Sequence, residues 1–348
     1  MAEANWKREY QAISDFIAAH TEIVINRNEI SIPQDLRDEF YRGFDNIRRA
    51  VVKDHYSALP AEIGFLSNNF LQIEDEIMKL FRLERIWMPM DLYRFLRNPE
   101  EGLIRMLYNR TFDMLQGKIT AEDFEKQAGE DLRAAAAALY RLGYEWWAAL
   151  AFIKLMDPDE AYQVDLDDDY EPVLTEMKEI AFGRQAHHPT IRIPEFVIHS
   201  RKINKYVGVK MPLAREVETL VVRFKPPVKP RKKTGDTSLA LDSRTMLLSF
   251  MESKDKIPII ADIYECTLTN PHWMIEYVTA EESRDPVAME EVKHHMKALK
   301  PKLGTCLILI DPEDESGLED MPENTRIVAA GFDQSKLLAA INELPKDS

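Results

Sequence analysis

The chain has 348 residues, with 60 acidic side chains against 45 basic ones and a formal net charge of −15. That balance excludes a general phosphate-binding surface, which needs a basic face, and leaves only a local basic patch to contact nucleic acid. Hydrophobic residues make up 45% and charged residues 30%, as in a soluble globular protein long enough to bury a core without disulfides or a structural metal.

The two cysteines, Cys266 and Cys306, fall in short apolar runs that read as buried strands. There a free thiol behaves as a small hydrophobe, so no disulfide framework is expected and a reducing cytoplasm is the expected compartment. The first residues, MAEANWKREYQAISDF, lack the apolar core of a signal peptide. No apolar run approaches the roughly 20 residues that span a bilayer, so no membrane segment is expected.

In chain order, Trp6, Tyr10, Ile13 and Ile17 recur at spacings of four and three, predicting a helix over 5–25. Leu36, Phe40, Phe44, Ile47 and Val51 predict a second helix after Pro33, and Leu66, Phe70, Ile73, Ile77 and Leu80 a third. Residues 86–117 read as shorter helices broken near Pro89, Pro99 and Gly117. Thr120 and Asp123 resemble a capping box. It opens a long helical stretch to about Met156, which Gly143 bends or splits. A short helix over 172–182 closes the helical part. From His187 the chain turns rich in β-branched residues and proline, predicting two or three extended segments. Residues 225–236 (KPPVKPRKKTGD) read as an exposed linker. A helix over 244–252 then leads to residues 257–310, whose runs IPIIADIYECTL, HWMIEYVT, DPVAMEEVKHHMKAL and TCLILI predict strand, strand, helix and strand. An acidic loop, a strand over 326–330 and a helix over 333–344 complete the chain.

The expected fold is therefore α+β and multidomain. An N-terminal all-α helical bundle (1–183) is followed by a β-rich connector with the basic linker (184–236), then a C-terminal α/β domain with a small mixed sheet (237–348).

Four patterns carry candidate chemistry. The first is Asp262 with Glu276, which the predicted order places on successive strands of the C-terminal domain. The order helix, strand, strand, helix, strand resembles the core of PD-(D/E)xK nucleases. The resemblance implies a divalent metal held by the two carboxylates and hydrolysis of phosphodiesters. Val278 stands where that family has its lysine, so a lysine would have to come from elsewhere, with Lys254 and Lys256 as candidates. The plainer alternative is an ordinary α/β domain with two polar strand residues.

The second is an acidic run with Asp165, Asp167, Asp169 and Glu176 at positions one, three, five and twelve, the spacing of an EF-hand calcium loop. Tyr170 replaces its glycine and Pro172 its β-branched residue, so a solvated acidic loop competes with a metal site. The third is Glu291-x-x-His294, beside His295 and with His187 and His188 elsewhere. Di-iron bundles need two such motifs, and a polar helix face explains one. The fourth, residues 139–158, carries the Leu-Gly, aromatic, alanine and Asp-Pro features of a single tetratricopeptide repeat. Such repeats need about three copies to stack, so a helical hairpin within a bundle is the simpler expectation.

The basic cluster Lys225, Lys229, Arg231, Lys232 and Lys233 is the one candidate contact for nucleic acid. No Walker loop, nucleophile elbow or Cys-x-x-Cys pair occurs. These features together favour a non-catalytic cytoplasmic protein that binds another protein, as a regulatory, adaptor or assembly component. The competing expectation is a nuclease-like phosphodiesterase using Asp262 and Glu276, with a divalent metal as its cofactor.

Overall fold

The computed structural model describes residues 5–56, 62–183, 190–211, 245–262, 264–265, 267–310, 318 and 320–345. His187, His188, Cys266, the basic cluster from Lys225 to Lys233 and most of the acidic loop after Ile310 lie outside the described residues. Contacts divide the chain into two compact units, Met1–Asn68 with Pro89–Tyr140, and Asn69–Met88 with Arg141–Ser348.

The first unit is built on helices α1 (Asn5–Ala19), α2 (Arg37–Tyr56) and the first turns of α3 (Glu62–Phe81), with a small hairpin of β1 (Val24–Asn26) and β2 (Glu29–Ser31) after α1. The predicted apolar stripes are buried, including Trp6, Ile13, Phe40, Phe44, Ile47, Val51 and Leu66. Three short helices follow β3 (Arg85–Trp87), which itself belongs to the second unit: α4 (Met90–Arg97), α5 (Pro99–Ile104) and α6 (Tyr108–Leu115). Pro99 starts α5 because its missing N–H would be unpaired in any first turn, and Asn98 caps that turn through the Glu101 amide. Gly102 is required by close packing, since a Cβ there would sit 2.6 Å from the Cα of Phe95. Arg48 lies over the rings of Phe44 and Tyr108 at 4.8 and 5.4 Å and donates to the Ile104 carbonyl. Its flat, weakly hydrated guanidinium suits that half-apolar setting.

Helix α7 (Ala121–Leu155) is continuous for 35 residues. Gly143 neither breaks it nor opens a hairpin, so the helix–turn–helix of a tetratricopeptide repeat is not formed. Asp157, at φ +52, ends the helical run and turns the chain into a strand.

The second unit holds an eight-stranded mixed sheet. Its strands are β4 (Pro158–Leu166), β5 (Pro172–Glu176), β8 (Phe196–Ser200), β9 (Lys205–Lys210), β10 (Met246–Met251), β13 (Trp273–Val278), β14 (Thr305–Leu309) and β15 (Thr325–Ala329). Their spatial order is β15-β14-β13-β10-β9-β8-β4-β5. The first three are parallel and the remaining pairs antiparallel. A three-stranded sheet combines β7 (Ile191–Arg192), β11 (Ala261–Asp262) and β12 (Thr267–Leu268), and β6 (Glu179–Ala181) pairs with β3.

This architecture corrects the expected one in three places. The sheet is large, not small. It begins at Pro158, within the 1–183 span of the expected helical domain, and the helix expected over 172–182 is strand β5 followed by β6. The helix expected over 244–252 is β10, a central strand. All six β10 residues are buried, and a strand covered on both faces reads as an unbroken apolar run. The split into a helical bundle over 1–183 and an α/β domain over 237–348 is not confirmed.

Side chains alternate across the sheet as strand geometry requires. Trp273 meets Phe152 of α7 edge-on, while Met274 joins Leu247, Met296 and Leu299 on the opposite face. Residues 141–155 of α7 thus cover one face. The other is covered by α9 (Pro286–Leu299), which with α8 (Ala280–Arg284) forms the crossover from β13 to β14. Farther along that second face, Ile191, Ile193 and Ile257 pack on Val164 and Val197. Helix α10 (Gln334–Asn342) follows β15, and its Gln334 accepts from Lys154 of α7 at 3.3 Å.

Candidate functional site at the β5 edge

The sequence-predicted carboxylates are dispersed. Asp262 sits in the three-stranded sheet, where its Oδ1 accepts the amides of Tyr264 and Glu265 at 2.8 and 3.2 Å and so closes its own turn. Glu276 is buried in the eight-stranded sheet beneath α9. Its Oε1 accepts from the Thr245 hydroxyl at 2.9 Å and lies 3.3 Å from Nδ1 of His295. The two carboxylates share none of these partners. Val278 is packed with Met289, Leu307 and Leu309. Lys254 is bound to Tyr162 and Glu160, and the Lys256 amide closes a turn with the Ser253 carbonyl.

The acidic run forms a β-hairpin. Asp165 lies on β4 and Glu176 on β5, so the helices that flank an EF-hand loop are replaced by strands. Asp167 closes the turn by accepting the amides of Asp169 and Glu171 at 3.0 and 2.9 Å. Tyr170, where the calcium motif has glycine, does adopt a left-handed φ of +64. Asp165 accepts from Gln163 and Thr175. Glu291 and His294 lie on α9. Among the described residues, no group of three or more His, Cys, Asp or Glu side chains is placed to hold a metal ion. Cys306 is buried and its thiol is pushed up to about 12 by that burial, which leaves it unreactive.

A different constellation stands out on β4, β8 and β9. The Tyr162 hydroxyl donates to Glu160 at 2.7 Å and accepts from the Lys254 ammonium at 2.9 Å. Tyr206 donates to the same Glu160 oxygen at 3.2 Å. His199 lies 2.6 Å from Asp159 and packs against Tyr206 with the rings tilted at 53° and their centres 4.9 Å apart. The hydrogen bond from Tyr162, aided by the Lys254 charge, holds Glu160 below the usual carboxylate range. The bond to Tyr162 also raises Lys254, and burial followed by the Glu160 charge raises Tyr206. Near neutral pH Glu160 is therefore an ionised carboxylate, Lys254 a charged ammonium and Tyr206 a neutral phenol. Such a set recognises polar groups, whereas a charged ammonium supplies no nucleophile.

Tyr162 and Lys254 also line a cleft of about 740 Å³, together with Pro172, Leu174, Glu176 and Ile257. The cleft runs beside β5, which pairs only with β4 among the described residues. Which backbone groups of β5 face outward follows from the ladder. In an antiparallel strand the N–H and C=O of one residue point to the same side, and the side alternates along the chain. The Val164 amide bonds to Glu195, just before β8, and the Asp167 amide bonds to Glu171 on the hairpin side. Odd-numbered β4 residues therefore bond to β5 through the pairs Gln163–Thr175 and Asp165–Val173. That leaves Leu174 and Glu176 with N–H and C=O directed away from β4, to the side of β5 on which no strand pairs among the described residues. Pro172, also outward, has no N–H to offer.

The opposite edge is different. On β15, Lys336 donates to the Ala329 carbonyl at 2.7 Å and Arg326 pairs with Glu343, devices that blunt an edge against pairing.

Ligands of open α/β sheets sit beyond the carboxyl ends of the parallel strands. Here two residues of α7 reach those ends. Arg141 donates to the Tyr277 carbonyl at 3.1 Å and pairs with Glu145 and Glu282, while Tyr144 donates to the Gly331 carbonyl. Sequence reasoning named Lys254 and the acidic residues but missed Glu160, Tyr162, His199 and Tyr206. The signal for the first two was the alternation of Glu160, Tyr162, Val164 and Leu166.

Comparison with protein-family models, with curated proteins and with solved structures finds no match. No helix among the described residues is long and apolar enough to cross a membrane.

Proposed function

We propose that this chain is a non-catalytic, cytoplasmic protein-binding component, of the regulatory, adaptor or assembly kind, that receives an extended segment of its partner at β5. The observation that carries the reading is the β5 edge, with Leu174 and Glu176 presenting N–H and C=O outward beside a cleft of about 740 Å³. Backbone pairing to such an edge supplies affinity, and the adjoining cleft supplies specificity through alternate side chains. The hydrogen bonds of Arg141 and Tyr144 to the Tyr277 and Gly331 carbonyls support the reading, because they engage the strand ends where this sheet type ordinarily places a reactant. The nuclease-like alternative finds less support, with Asp262 closing its own turn and Glu276 held by Thr245 and His295.

The test is affinity selection of random octapeptides on the full chain, followed by binding to two variants. Glu176→Pro removes an outward N–H at an exposed position without touching the β4 ladder, and Glu176→Gln keeps the N–H. Selected peptides should bind the Gln variant and lose about tenfold or more on the Pro variant, roughly the worth of one or two backbone hydrogen bonds. Failure to select any peptide, or equal binding to both variants, contradicts the reading.

A further inference from the structure

We infer that the segment received at β5 is basic at both ends and apolar or β-branched between them. The inference rests on the strand-addition reading of this edge and names its occupant as an extended lysine- or arginine-bearing segment of another protein.

Three observations choose that chemistry. First, the hairpin carries Asp167, Asp168, Asp169 and Glu171 at the turn that opens β5, all exposed, and Glu176 at its far end. No basic residue lies between 165 and 176. Second, the cleft's own cation is already matched. Lys254 is bonded to Tyr162 and lies 3.6 Å from Glu160, so it leaves little positive potential to oppose an incoming base. Asp255 adds a further exposed carboxylate beside it. Third, Lys178 approaches Glu176 at 3.6 Å with both side chains more than half exposed, an arrangement worth little and readily screened.

Spacing follows from strand geometry. From Glu171 to Glu176 is five residues, or about 17 Å of extended chain. A paired segment would set basic residues at both ends of a stretch of about six residues. Between them, alternate side chains would face Tyr162, Leu174 and Ile257, which favours apolar or β-branched residues. Complementary charge mainly speeds encounter and rejects acidic competitors, while backbone pairing holds the complex.

The test uses the full chain and three fluorescent octapeptides sharing a Val-Thr-Val-Thr centre. Two lysines, two serines or two glutamates flank that centre on each side, and anisotropy reads binding at low and at physiological salt. The lysine peptide should bind about tenfold or more tighter than the serine peptide, with the margin shrinking as salt rises, and the glutamate peptide should bind weakest. In the double variant Asp168→Asn, Asp169→Asn, the lysine peptide should fall toward the serine peptide. Those two carboxylates are exposed, and the turn is closed by Asp167 instead. Equal binding of lysine and serine peptides, or preference for glutamate, overturns the basic occupant while leaving strand addition standing. If none of the three binds, both the occupant and the strand-addition reading fall.

Discussion

Tyr144 on α7 donates its hydroxyl hydrogen to the carbonyl of Gly331, just beyond the carboxyl end of β15. Both residues are buried, and the bond ties the helix to the end of the parallel strands. Tyr144→Phe keeps the ring that packs on Trp147 and Phe332 but leaves that carbonyl without the hydroxyl. The expected loss is about 1–3 kcal/mol of unfolding free energy. Urea titration with an unchanged slope would show it, and an unchanged midpoint would contradict it.

Arg141 and Glu145 form a second tie on the same helix. Their atoms approach to 3.0 Å, with the Glu145 side chain wholly buried. Removing one charge from a buried pair costs more than removing both, because the survivor stays desolvated. Arg141→Met should therefore destabilise by roughly 3–5 kcal/mol, and the double variant Arg141→Met, Glu145→Leu should recover much of that loss. Additive losses in the double-mutant cycle would show that the pair is not coupled.

His272 gives the fold a pH dependence. Its Nδ1 accepts the Phe250 amide at 3.1 Å, which requires that nitrogen to be unprotonated. Burial first, then the charges of Lys302 and Lys205, depress its pKa below the ordinary 6.5. The unfolded chain therefore takes up a proton at higher pH than the folded one. This contribution is complete above about pH 6.5 and is lost as pH falls from there to the depressed folded value. His272→Asn offers the Phe250 amide an acceptor that does not titrate. Its midpoint should decline less steeply between neutral and mildly acidic pH than the parent's, and parallel pH profiles would rule His272 out.

Gly102 tests the packing of α4 on α5. A methyl group would fall 2.6 Å from Phe95 Cα and 2.8 Å from its amide nitrogen, a clash with backbone that no rotamer relieves. Gly102→Ala should cost about 1–3 kcal/mol despite alanine's better helix propensity. A stabilised variant would mean that the two helices separate freely.

Much of the helical architecture was legible because the stripes of α1, α2 and α3 repeat every three and four residues, the mark of a helix with one buried face. The strands of residues 257–310 were legible as short apolar runs between turn residues, although the first shrinks to Ala261–Asp262. Strand β10 was misread because a strand buried on both faces loses its alternation, leaving Met246–Met251 indistinguishable from helix by pattern. β4 and β5 were misread for the opposite reason: polar side chains of Asp165, Thr175 and Glu176 obscured the two-residue rhythm. The candidate site was hidden more deeply. Tyr162 and Lys254 lie 92 residues apart and meet only once β4 and the turn after β10 are in place. The outward N–H groups of Leu174 and Glu176 depend on ladder register, which no side-chain identity announces.

The measurement closest to the central claim is residue-resolved amide exchange along β5, in the free chain and with the lysine-flanked peptide added. In the free chain, Val173 and Thr175 should exchange slowly and Leu174 and Glu176 quickly, since only the first pair bonds to β4. With peptide, Leu174 and Glu176 should slow by about tenfold or more as they gain partners. Peptide binding that leaves both amides fast, with protection appearing elsewhere on the chain, would contradict the account.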